Sequence, residues 1–517
     1  MRKVYMALLT VVLSLCLLLP GTPVLAADGT AEIVVLHTND THGRIEPKDD
    51  SGKSIGFPEI AAAVKNVRAL NPDTLLLDAG DTLHGTPDIN ISRGENMTLI
   101  LNELGYDAMA PGNHDFNYGS ARLVELSHEL HFPVLSANIV DAQTGKLLFA
   151  PYKEFVLDGV RVAVFGLTTA ETAFKTSPEN VKNVKFLDPI EAARKMVKKL
   201  RKNHDVIIAV THLGIDASSK ITSEMVAAQV PGIDVMIDGH SHTVLTQGMT
   251  TGNTLIAQTG CYDHNLGCVR IQVKDHKVIS KTASLYTPEE LKAMAPEPDK
   301  AMQATIDGIR AQNQAVFAVV AAQSPRKLSS DRGIVRRHES ELGNLAADAL
   351  RWESGADIAM TNGGSLRADL PQGPVTKGDI MAIFPFGNTL EKVEISGAVL
   401  KAVLEHSVEY YPAAFGGFMQ VSGVTFTFDP AAEAGHRVQE VQVGGAPLDL
   451  MKNYTLAIND FNYAGGDGYS MLKGAKVVAE FGTYEEILTA YLNRYGIGDV
   501  SLGRITMLGE AVERQAA

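Results

Sequence analysis

Cysteine is nearly absent from this chain, with three in 517 residues, and one of those, Cys16, sits in an apolar N-terminal run. So few cannot build a disulfide scaffold, which needs several pairs. Cys261 and Cys268 remain in the body of the chain. They either close one short loop in an oxidising compartment or stay as two buried thiols. Positive charge is also short: 46 Lys and Arg stand against 60 Asp and Glu, for a formal net charge of −14. So acidic a surface argues against binding nucleic-acid polymers, which depends on neutralising many phosphates. A small anionic ligand is still compatible, because metal ions and a few arginines reverse the field locally. There is no internal repeat, no low-complexity tract and no heptad pattern, so repeat and fibrous architectures are excluded.

The apolar run at 7–19 is too short to span a bilayer comfortably. With Arg2 and Lys3 before it and Val24-Leu25-Ala26 after it, it reads as a secretory signal peptide over 1–26. Leu15 stands before Cys16 where lipoprotein processing wants a small residue. The chain closes on the polar Glu510-Ala511-Val512-Glu513-Arg514, which offers no hydrophobic tail for a lipid anchor. A secreted protein, periplasmic or extracellular and without a stable membrane anchor, is expected.

The remaining length exceeds what one core usually serves, so two domains are expected. In the first half, apolar runs at 33–36, 74–77, 108–109, 134–135, 162–165, 206–210 and 235–237 read as buried strands. Amphipathic stretches at 60–70, 98–104, 121–130 and 190–202 read as helices between them. This is α/β order. Around 287–314 the texture changes, with Pro288, Pro296 and Pro298 among charges and then a helical stretch from Lys300. The spacing therefore predicts a first domain over 27–286, a linker and linker helix over 287–314, and a mixed α/β second domain over 315–517.

Acidic, amide and imidazole side chains gather just past the ends of the first-half strands. Asp40-Thr41-His42 follows the first, Gly80-Asp81 the second, and Gly112-Asn113-His114-Asp115 the third. His212-Leu213-Gly214 and Gly239-His240-Ser241-His242 follow two later ones. In an extended chain residues two apart point the same way, so Asp40 and His42 could ligate one ion together. Asp81, placed after a glycine that permits a sharp turn, could bridge two. Mixed oxygen and imidazole donors suit Zn, Mn, Co or Fe better than Ca or Mg.

These motifs resemble the calcineurin-like metallophosphoesterases, and 36–43 and 112–119 resemble the 5′-nucleotidase family specifically. The resemblance spans about residues 30 to 505. It implies a four-layer α/β/β/α catalytic domain holding two divalent metal ions. Asp40, His42, Asp81 and His242 would hold one ion, and Asp81, Asn113, His212 and His240 the other. His114 would face the substrate and stabilise charge on the phosphoryl oxygens. Many members carry Asp where this chain has Asn117, although relatives with Asn include cyclic-nucleotide phosphodiesterases. Asn117 can accept a bond from the ring N–H of His114 but supplies no negative charge.

In the second half, Asn362-Gly363-Gly364-Ser365-Leu366-Arg367 follows a strand, and Arg336-Arg337-His338-Glu339 precedes Gly343-Asn344. Phe418-Met419-Gln420 and Phe461-Asn462-Tyr463-Ala464-Gly465-Gly466-Asp467 add aromatics among glycines. Together they resemble the substrate-binding domain of the same family. That implies Arg336 and Arg367 on phosphate with Asn362 beside them, Phe418 and Phe461 sandwiching a base, and Asp467 on the ribose hydroxyls. A hinge is expected near 300–314.

The expected activity is hydrolysis of nucleoside 5′-monophosphates. The alternatives are a 2′,3′-cyclic-nucleotide 2′-phosphodiesterase with 3′-nucleotidase activity, a nucleoside-diphosphate-sugar hydrolase, and a two-lobed nucleotide-binding protein without catalysis.

Overall fold

The computed structural model describes residues 29–46, 55–217, 219–498 and 500–509. The expected signal peptide lies outside them. Two sheets face each other in the first half. One runs Lys277–Tyr286, Leu266–Lys274, Thr30–Thr38, Leu75–Asp78, Ala108–Met109. The other runs Met249–Thr251, Thr254–Ala257, Val235–Ile237, Val206–His212, Val160–Thr168, Tyr152–Leu157.

Alternation along the strands explains the layering. In Thr30–Thr38, Ile33 and Val35 join the core between the sheets, while Val34 and Leu36 pack under helices Phe57–Leu70 and Glu95–Leu104. In Val206–His212, Val206, Ile208 and Val210 face the same inner core. Ile207 and Ala209 face outward toward helices Pro189–Leu200 and Ser223–Gln229. Strands buried on both faces must be apolar on both, which is why they read as unbroken apolar runs. The result is the helix, sheet, sheet, helix sandwich. Residues 134–135 form no strand of their own, only isolated bridges of Val134 to Met109 and Leu135 to Ala150.

Helix Lys300–Phe317 buries Met302, Ile306 and Ile309 in the first core, against the helices that cover its outer sheet. Beyond it a second body begins, around a sheet ordered Met419–Ser422, Ile358–Asn362, Asn453–Asn459, Thr389–Ser396, Lys476–Thr483. Helices Glu341–Ser354 and Tyr484–Tyr495 cover one face. Helix Gly397–Ser407 and a smaller sheet containing Val424–Phe428 and Val438–Val443 cover the other. Cys261 and Cys268 are separate thiols, the second buried in strand Leu266–Lys274. Among the described residues, no helix is long and apolar enough to cross a membrane.

Candidate metal centre and nucleotide reader

Parallel pairing sets the site. Thr38 pairs with Asp78 and Asp78 with Met109 in one sheet, while Val210 pairs with Ile237 in the other. The loops that leave these strands therefore open at one edge, where α/β sheets bind ligands. The loop after Thr38 is laid on the loop after Asp78 by two backbone bonds, Asp40 N–H to the Gly80 carbonyl and His42 N–H to the Asp81 carbonyl, both 2.9 Å. Gly80 adopts φ +89, and a Cβ there would lie 2.4 Å from the Gly112 nitrogen, so no larger residue fits.

Asp40 and His42 do converge, but not in the extended geometry expected of them. Asp40, His42, Asp81, His240 and His242 all take left-handed backbone, with φ between 48 and 79. Such conformations cost about 1–3 kcal/mol each outside glycine and persist where the surrounding structure imposes them. Here the loops turn back on themselves, so the side chains meet by folding and not by strand alternation.

Two adjacent groups result: Asp40 with His42 and His242, and Asp81 with His212 and His240. The Nε2 atoms of His42 and His242 are 3.1 Å apart, and His242 Nε2 is 3.4 Å from Asp40 Oδ1. His212 Nε2 lies 3.1 Å from Asp81 Oδ2, while its Nδ1 is bound to the Ala79 carbonyl at 2.7 Å. That backbone bond fixes the ring and aims Nε2 into the cluster. A third grouping, His42 with Asp81 and His114, links the two. Proximity alone therefore does not separate His114 from the ligands.

The donors fit metal ions. Asn113 gives its amide N–H to the Lys175 carbonyl at 2.8 Å, which leaves Oδ1 buried with no protein partner. Buried polar atoms are rarely left so. The field agrees. Burial works against a charged His212, yet Asp81 and Asp40 carry its pKa up to about 10. Burial likewise opposes ionisation of Asp81, but His212 and His114 hold it well below the carboxylate range. The two aspartates draw positive charge to this point. Burial lowers His42 and His240 and brings His114 down to about 4, so these rings are neutral donors.

Carboxylates behind the cluster brace it. Asp115 accepts from the backbone N–H groups of Asp81, Thr82, Leu83 and Gly112, at 2.7–3.0 Å. Asp238 ties the Thr211 hydroxyl and the Leu213 N–H to the Gln258 amide, joining two ligand loops. The expected bond between Asn117 and His114 is present with the opposite polarity. Asn117 Oδ1 accepts from the Thr176 hydroxyl, so its Nδ2 faces His114 Nδ1 at 3.1 Å as donor. The ring then carries its proton on Nε2.

In the second body, Asn362 Nδ2 binds Asp467 Oδ2 at 2.8 Å. Gly416 lies against both Arg336 and Asp467. Burial lowers the Arg336 pKa, and the neighbouring charges of Arg332 and Arg367 lower it further. Arg332 is thus a third guanidinium of this cluster, and its position in a four-residue helix hid it from motif reading. Phe461 is half exposed. Phe418 is not a stacking face: it is 1 % exposed, inside the core with Met360 and Val421. Strand Met419–Ser422 begins right after it and turns the ring inward. The half-buried Phe415, three residues earlier, presses against Gly417 beside Asp467. Either Phe of Phe415-Gly416-Gly417-Phe418 satisfied the sequence pattern.

A cavity of about 1060 Å³ lies between the two bodies, lined by Asp81, Asn113, His114, Lys175, His240 and Phe461 among others. Arg336, Asn362, Arg367 and Asp467 do not line it. Arg367 stands behind Phe386, whose ring is 5.5 Å from its guanidinium carbon.

A four-layer sandwich with imidazoles and carboxylates at its strand ends defines a metal-dependent phosphoester hydrolase. Residues 33–244 match the calcineurin-like phosphoesterase family, and 316–474 match the 5′-nucleotidase C-terminal domain. The chain is 30 % identical to a Vibrio cholerae 5′-nucleotidase over 94 % of each protein. It is 31 % identical to a trifunctional nucleotide phosphoesterase of Bacillus subtilis, covering 91 % of this chain but only 34 % of that longer protein. A solved 5′-nucleotidase precursor from Thermus thermophilus is 33 % identical, with a TM-score of 0.55, over 93 % of this chain and all of the other. The chain belongs to the 5′-nucleotidase family of metallophosphoesterases.

Proposed function

We propose that this protein is a secreted 5′-nucleotidase that holds two divalent ions and releases phosphate from nucleoside monophosphates. The observation that carries this reading is the pair of candidate ligand groups linked through His42 and Asp81, with Asn113 Oδ1 left as a buried unpartnered donor beside them. Asp40, His42, Asp81 and His242 would hold one ion, and Asp81, Asn113, His212 and His240 the other. When bound, the ions polarise phosphoryl oxygens and acidify a water for in-line attack.

The protein's own groups do the rest. His114, kept neutral by burial and oriented through Nδ1 by Asn117, donates from Nε2 to a phosphoryl or leaving-group oxygen. Arg336, Arg367 and Arg332 offer forked donors to phosphate, Asp467 and Asn362 face the ribose, and Phe415 and Phe461 take the base. Because the arginines and Asp467 lie outside the cavity lined by Asp81, Asn113 and His240, turnover requires the second body to swing its reader over the first. The expected hinge at 300–314 falls within a helix whose apolar side is packed in the first core, so we assign the domain boundary and the pivot to residues 318–319.

The test is phosphate release from 5′-, 3′- and 2′,3′-cyclic nucleotides and UDP-glucose, with and without a chelator. The 5′-monophosphate should be cleaved best and chelation should abolish release. Preference for the cyclic or sugar substrate would replace this reading with one of those hydrolases. Nucleotide binding without release would make the chain a binding protein.

A further inference from the structure

A carboxylate of the second domain sits where an anionic substrate group would be held. Glu480, on strand Lys476–Thr483, is buried at the domain interface. Its Oε1 is 3.2 Å from Lys175 Nζ and its Oε2 is 3.9 Å from His114 Nε2. The backbone of Glu480 is tied down as well, its N–H donating to the Phe174 carbonyl at 2.8 Å. One anion thus spans the ammonium of Lys175 and the imidazole assigned above to the phosphoryl group. A phosphate presents oxygens at nearly the same separation.

Lys175 is part of the site wall, not a surface charge. It lines the cavity with Asn113, His114 and His240, and its carbonyl holds the Asn113 amide. The environment has too few cations for its acids. Glu391 pairs in register with Glu480 on the next strand, is also buried, and leaves Oε2 without a partner. Asp216, Asp460 and Tyr463 line the same cavity.

We infer that Lys175 is a phosphate-contacting residue of the substrate site, and that Glu480 occupies it as an internal anion until substrate displaces it. The inference rests on the phosphohydrolase reading. In this domain arrangement Lys175 is neutralised by Glu480. As the second domain moves, Glu480 leaves with its strand and Lys175 turns to the incoming phosphate. Glu480 therefore competes with substrate, and Lys175 is the group for which both compete.

The experiment measures competitive inhibition by inorganic phosphate, together with KM and kcat for a nucleoside 5′-monophosphate, in the full-length metal-loaded protein. Wild-type release of phosphate tests the functional reading by itself, so its failure is distinguishable from failure of this inference. Lys175→Ala should raise KM and the phosphate inhibition constant about tenfold or more, in line with loss of a charge-assisted contact. Lys175→Arg should restore most of both. Glu480→Gln should lower the phosphate inhibition constant severalfold, and should have no such effect when combined with Lys175→Ala. An unchanged inhibition constant in Lys175→Ala would overturn the assignment of Lys175. An unchanged constant in Glu480→Gln, or the same gain without Lys175, would overturn the competition.

Discussion

Among single residues, Asp81 and Phe418 make opposite cases. Asp81 stands in left-handed backbone beside His212 and between both ligand groups, so its loss should disable both metal positions. Asp81→Ala should abolish activity and lower metal content by elemental analysis while the circular-dichroism spectrum stays native. His242→Ala, at the edge of one group, should cost less. An active Asp81→Ala protein with full metal occupancy would sink the assignment. Phe418→Ala should lose about 3–5 kcal/mol of stability, as large-to-small core changes do, read as a fall in urea midpoint. Phe461→Ala should instead leave stability nearly unchanged, Phe415→Ala should cost less than Phe418→Ala, and both should weaken preference for nucleotides over a small aryl phosphate. Base stacking on an aromatic ring is worth about 1–3 kcal/mol. Equal loss on both substrates would remove these rings from the base site.

Among the elements, the loops matter more than the strands that launch them. Asp115 holds four N–H groups of the two loops that carry Asp81 and Asn113. Asp115→Asn would set an amide N–H₂ against those donors, and metal affinity should fall about 10–100-fold, as when outer supports of a site are lost. Chelator competition reads this directly, and unaltered affinity would mean that the loops hold themselves. Helix Tyr484–Tyr495 carries a different burden where it meets the first domain. Burial, and after it the charge of Glu486, raises the Glu485 carboxyl to about 7, and Asn90 is its cross-domain partner at 3.4 Å. A raised folded pKa means that the native state binds the proton more tightly than the unfolded chain. Ionisation therefore removes stability as pH rises from about 4.5 through about 7, by on the order of 3 kcal/mol. Glu485→Gln should melt above wild type near pH 8 and converge with it near pH 4.5. A gap independent of pH would show that the carboxyl is not the source.

Across the two domains taken together, the candidate metal ligands and most of the candidate nucleotide-reading residues belong to different bodies, and Arg336, Arg367 and Asp467 do not line the cavity that Asp81 and His240 line. Polar contacts join the two domains in the observed arrangement, among them His84 with Glu486, Lys175 with Glu480, Asn90 with Glu485, and the Glu480 N–H with the Phe174 carbonyl. Such an interface permits motion. A cysteine pair at Asn90 and Glu485, joined by a short thiol cross-linker, should slow steady-state turnover sharply, with recovery on cleavage of the link. Completely cross-linked protein that turns over at the normal rate would end the moving-domain account.

The α/β order and the candidate ligand residues are legible in the amino-acid order alone, and the four-layer arrangement only through resemblance to a known family. Doubly buried strands must be apolar on both faces, and acids, amides and imidazoles collected after strand ends have little structural reason to be there. That made 33–36 and 206–210 legible, together with Asp40, Asp81, Asn113, His212 and His240. The remainder depends on backbone direction and on neighbours distant in the chain, which only the folded molecule supplies. Left-handed turns, not strand alternation, bring Asp40 to His42. The inward turn of a strand sends Phe418 to the core and leaves Phe415 beside Asp467. Packing of Met302, Ile306 and Ile309 makes an expected linker part of the first core. Glu480 meets Lys175 across 305 positions of chain, a pairing that no local pattern encodes because each charge alone reads as an ordinary surface group.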